Sequence, residues 1–101
     1  MKASYNKMSR EILIELVNRG NVTECCGAIC EIVRRKIDNG MVVGNTTMKE
    51  IEKRINDDSV FWNSYTVGDF ATAAMHLLGR TQYEGDRIEV KRLIKAQMDF
   101  S

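Results

Sequence analysis

Three cysteines, Cys25, Cys26 and Cys30, stand in the stretch TECCGAIC with Gly27 among them. Thiolates ligate soft metals, exchange disulfides and attack electrophiles, and their spacing selects among these chemistries. A structural zinc site asks for two ligand pairs, C-x2-C repeated or joined to H-x3-5-H. Here the spacing is i, i+1, i+5, there is no C-x-x-C redox motif, and the one histidine, His76, lies far along the chain. On a helical wheel Cys26 and Cys30 fall about 40° apart at ~100° per residue, inside an apolar stripe. A free thiol packs there as a small hydrophobe. Core packing is therefore the expectation, set against a partner-supplied metal site or a reactive thiol. Cys25, on the flank beside Ile32, is expected to be the most accessible of the three. Its thiolate would be helped by the helix N-terminus and opposed by Glu24.

His76 shares a helical face with Asp69 and Thr72, opposite the stripe Phe70–Ala74–Leu78. A general base needs a nucleophile or a second acid in reach, and this spacing supplies neither. A solvent-exposed histidine is expected. The stretch DDSVFWNSY is richer. Phe61, Trp62 and Tyr65 either roof the core or form an aromatic anchor rimmed by Asp57, Asp58 and Asn63, the composition of a protein-binding hot spot. Basic residues gather late, at Arg80, Arg87, Lys91, Arg92 and Lys95. They read as a phosphate-contacting stripe or as the solvated side of an amphipathic helix, diluted by Glu84, Asp86 and Glu89. Signatures for phosphate loops, dinucleotides, zinc proteases, nucleophile elbows and EF-hands are missing. No cofactor and no enzymatic activity are expected.

The elements that would position these residues are mostly helical. Met8, Ile12, Leu13, Leu16 and Val17 recur at helical spacing up to Gly20, with Asn6 or Ser9 as cap. A second helix over 23–39 places Val22, Cys26, Ile29, Cys30, Val33 and Ile37 on one stripe, with Glu31, Arg34 and Arg35 away from it and Gly27 outside it. Residues 41–43 read as a short strand or an extended connector. Thr47 and Glu50 suggest a capping box for a helix running to Ile55, supported by a Glu50–Arg54 pair. Thr66 and Asp69 suggest a second box, opening a helix rich in small residues that ends at Gly79 and is expected to be central. A loop or small hairpin near 80–90 and a final helix to about Met98 complete the chain.

At 101 residues this is one domain with room for one core. Fifteen Lys and Arg against fourteen Asp and Glu leave a charge of +1, a balance that counts against a general nucleic-acid binder without excluding one. No apolar run spans a bilayer and no signal-peptide pattern opens the chain, so no membrane association and a cytoplasmic location are expected. The odd cysteine count suits reduced thiols. The fold class is mainly α, a compact single-domain bundle of about five helices, with a winged-helix-like arrangement as the alternative. Two functions fit. One is a non-catalytic regulatory or inhibitory protein, of the generic character of small bacteriophage accessory proteins, that binds a larger protein through Asp57, Asp58, Phe61, Trp62 and Tyr65. The other is a winged-helix-like DNA-binding regulator contacting nucleic acid through Thr72, His76, Arg80, Arg87, Lys91, Arg92 and Lys95. A homodimer is compatible with both.

Overall fold

The structure, a computed structural model, describes residues 5–62 and 65–80, with Phe61 and Trp62 placed by backbone alone. It is mainly helical. A single 3-10 turn over Tyr5–Lys7 leads into α1 (Arg10–Arg19), α2 (Val22–Asn39) and α3 (Asn45–Glu52). An antiparallel pair follows, β1 (Val60–Trp62) and β2 (Tyr65–Thr66), and then α4 (Val67–Leu77).

Local chemistry sets most of these boundaries. Ser9 caps α1 by accepting from the Ile12 N–H at 3.3 Å. Asn21 opens α2 with a reciprocal box, its side chain taking the Glu24 N–H while Glu24 takes its own N–H, both at 2.9 Å. This cap starts the helix at Val22, just before the expected Thr23. Gly40 closes α2 in the left-handed region, at φ 68°. Thr66 and Asp69 form the expected box at the head of α4.

Of the two readings of residues 41–43 the structure shows the extended connector: Met41 and Val43 lean on the core while Val42 is exposed. Two expectations are corrected. The Thr47–Glu50 box does not form, because α3 begins at Asn45 behind Gly44 and Thr47 is buried within its first turn. The Glu50–Arg54 pair is also absent. Glu50 accepts instead from Lys53, and Arg54 lies beyond the helix end, in the turn that follows Glu52.

Arg54 reaches across to the end of α1, donating to the carbonyls of Val17 (2.8 Å), Asn18 (3.1 Å) and Gly20 (3.3 Å). These carbonyls include ones a helix C-terminus leaves without partners, so a guanidinium both caps and electrically complements α1.

One core joins the four helices. α2 is its spine, wrapped by α1, α4, β1 and the 3-10 turn, and every residue from Cys25 to Val33 is buried. A single stripe was expected there, with Glu31 and Gly27 outside it. A helix packed on several sides buries more than one stripe, so both lie inside. Conversely Ile12 and Ile37, assigned to apolar stripes, are 50% and 59% exposed.

α4 buries Val67, Phe70, Ala71, Ala74 and Met75 as its pattern implies, its C-cap Leu78 is buried too, and Gly79 follows at φ 104°. Gly68 is required by close approach: a Cβ there would lie 2.5 Å from the Ile55 carbonyl oxygen. The suggested hairpin near 80–90 and the helix to Met98 lie outside the described residues.

Candidate functional site

The connection 57–66 carries the residues proposed to meet a protein partner. Asp57 anchors it. Its carboxylate accepts from the Arg54 guanidinium at 2.9 Å and from the Ser59 N–H at 3.0 Å, and its carbonyl accepts from the Gly68 N–H at 2.8 Å. The Ser59 hydrogen bonds first, and Arg54 after them, hold the Asp57 carboxyl below its ordinary range. The Ser59 carbonyl takes the Val67 N–H at 2.9 Å, so both ends of the connection are tied to the head of α4.

Between those ties the chain pairs Val60 with Thr66 and Trp62 with Tyr65, with an irregularity in register between them. Asp58, Ser59 and Val60 are exposed, Val60 at 63%. Tyr65 is half-buried and packs against the core. Phe61 and Trp62 sit on β1, which lies against α2. The composition of the stretch marked the place. Its fixation by Arg54 and Gly68 left no local signal, since both contacts depend on where distant backbone arrives.

The residues of the nucleic-acid alternative are more dispersed. Thr72 and His76 are half-buried on α4, which presents no fully exposed residue, so the exposed histidine expected from sequence is not found. Arg80 is exposed and donates to the Asn45 side chain at 3.3 Å. Arg87, Lys91, Arg92 and Lys95 lie outside the described residues. A cleft of about 270 Å³ opens between α3 and the end of α4, lined by Asn45, Met48, Lys49, Glu52, Met75 and Arg80. Sequence reasoning had no means of finding it, because it arises where two separate elements meet.

The cysteines are all buried. Cys25, expected to be the accessible one, is fully enclosed, with its thiol 3.6 Å from the Val17 carbonyl oxygen as donor. α1 covers the flank on which the wheel left it. Burial pushes the Cys25 thiol up to about 11, against a lowering by Arg54. Burial, and then the neighbouring thiols, raise Cys26 and Cys30 well above the ordinary thiol range. Neutral thiols are poor ligands and nucleophiles. Among the described residues no group of three His, Cys, Asp or Glu side chains is placed to hold a metal ion.

A second cluster leaves no mark in the apolar periodicity. Buried Glu31 accepts from both Arg34 and Arg35, and Arg35 also donates to the carbonyls of Tyr5 (3.3 Å) and Met8 (2.5 Å). No helix among the described residues is long and apolar enough to cross a membrane. No family model, curated protein or solved structure matches this chain.

Proposed function

We propose that this chain is a non-catalytic binding protein that regulates or inhibits a larger protein by occupying part of its surface. The observation that carries the reading is the hairpin connection 57–66, tied at both ends and presenting Asp58, Ser59 and Val60 to solvent. Backbone fixed before binding, as at Asp57 and Ser59, loses less freedom on binding, which favours affinity. The partner chemistry that fits is an apolar pocket with a basic rim. Val60, Trp62 and Tyr65 supply the apolar contacts, Asp58 meets the rim, and Asp57 positions the loop through Arg54. A cytoplasmic accessory protein, of the generic character of small bacteriophage accessory proteins, would have this form.

The alternative is a winged-helix-like DNA-binding regulator using Thr72, His76, Arg80, Arg87, Lys91, Arg92 and Lys95. A groove-reading helix offers an exposed face to the bases. α4 has no fully exposed position, so it supports this reading less.

Affinity capture with the tagged chain, followed by mass spectrometry, tests the choice. Trp62→Ala and Val60→Asp should each weaken partner capture by at least about thirtyfold while the helical signal stays intact. Undiminished capture by both variants would refute the hairpin as the binding surface. Salt-dependent duplex binding lost in Arg80→Ala would establish the alternative.

A further inference from the structure

We propose that the 3-10 turn is a detachable strap, and that Cys26 and Cys30 beneath it form a gated modification site for soft electrophiles such as alkylating agents.

The covering contact is specific. The Tyr5 ring lies on Gly27, where a Cβ would come within 2.5 Å of Tyr5 Cε2. Its hydroxyl points at the Thr23 carbonyl, 3.5 Å away. Thr23, Cys26, Gly27 and Cys30 share that side of α2 at ~100° per residue, whereas Cys25 faces the opposite way. Cys25 is instead covered by α1, to whose Val17 carbonyl its thiol is directed. The raised pKa of Tyr5 agrees with this placement: burial comes first, then the nearby Glu24, Cys26 and Cys30.

The two covers are unequal. α1 has ten residues, a Ser9 cap and the Arg54 clamp on its last carbonyls. The turn over Tyr5–Lys7 has three residues, held by the Tyr5 ring and by Arg35 on the carbonyls of Tyr5 and Met8. Short peripheral pieces with few contacts open at lower free energy than the whole fold. While the strap is closed, the thiols beneath it stay protonated and inert. When it opens, water reaches the side of the thiols that the ring covered, and the burial that raises their pKa is lessened, so each moves toward an ordinary thiol. A thiol then gives its proton to solvent, and the resulting thiolate attacks the electrophilic carbon of a reagent such as iodoacetamide, forming a carbon–sulfur bond as iodide leaves.

Site-resolved mass spectrometry after timed iodoacetamide labelling of the reduced, full-length chain tests the assignment. Gly27→Ala drives a Cβ into the ring, Tyr5→Ala removes the ring, and Arg35→Gln weakens the tie to the backbone of the turn. Each should speed labelling of Cys26 and Cys30 by about tenfold or more, with the Cys25 rate unchanged as internal standard. Combining Gly27→Ala with Tyr5→Ala should add little, because both remove one cover. If Cys25 accelerates in step with the others, the labelled species is the globally unfolded chain and the strap is refuted. If Tyr5→Ala retains full helical content and labels no faster than wild type, the gate is refuted as well.

Discussion

Glu31 keeps its charge at 4% exposure because two guanidiniums meet it, from Arg34 and Arg35. Burial alone would raise its pKa, but the hydrogen bonds and charges of the two arginines outweigh burial and leave it below the ordinary glutamate value. A depressed carboxylate stabilises the fold above its unfolded pKa of about 4.3, and that contribution is lost as pH falls through the folded value. Urea midpoints should therefore drop as pH is lowered below about 4. Glu31→Gln should flatten this limb and lower stability at pH 7 by about 3 kcal/mol, since it leaves two partly buried cations without their counter-charge. An acid limb unchanged in Glu31→Gln would assign it to Asp57, the other carboxyl held low among the described residues. The wheel placed Glu31 with the solvated residues because apolar periodicity registers hydrophobes alone. A carboxylate neutralised from its own helix at i+3 and i+4 can be buried without any break in that pattern.

Helix starts show which local signals decide an element. Asn21–Glu24 and Thr47–Glu50 both have the spacing of a box, yet only the first caps a helix. At the second, the glycine and asparagine at 44 and 45 start α3 early and place Thr47 inside the first turn, where its side chain is buried. Asn21→Ala should lower stability by about 1 kcal/mol, the usual effect of losing a cap. Glu50→Ala should change it by no more than about 0.5 kcal/mol, since its bond to an exposed Lys53 adds little. Equal losses in matched urea melts would show that Glu50 has a capping role after all. α1, α2 and α4 were legible from their 3.6-residue periodicity, and α4 also from its cap. The β1–β2 pair was not, because three residues against two, with a register irregularity, leave no alternation to read. Composition likewise located the candidate site at 57–66 but not what holds it, which is Arg54 from one side and the backbone around Gly68 from the other.

For the molecule as a whole, the three thiols of α2 define an alkaline edge to stability. All are enclosed and neutral in the fold, with Cys25 raised to about 11 and Cys26 and Cys30 also held well above the ordinary thiol range by burial. In the unfolded chain they titrate near pH 8.5. Groups whose folded pKa is raised stabilise the fold fully below the unfolded value, and that contribution fades as pH rises toward the folded one. Each proton the unfolded state releases and the native state keeps contributes about 1.4 kcal/mol per pH unit. With three such thiols the slope near pH 10, below the folded value of Cys25, should approach about 4 kcal/mol per unit. That is steep for a domain whose whole stability is on the order of 5–15 kcal/mol. Urea denaturation at stepped pH under reducing conditions measures it. Cys30→Ala, though less stable at pH 7 through the cavity it leaves, should lose about a third of the slope. A slope identical to wild type in that variant would mean that lysines or tyrosines, and not the buried thiols of the central helix, set the alkaline limit.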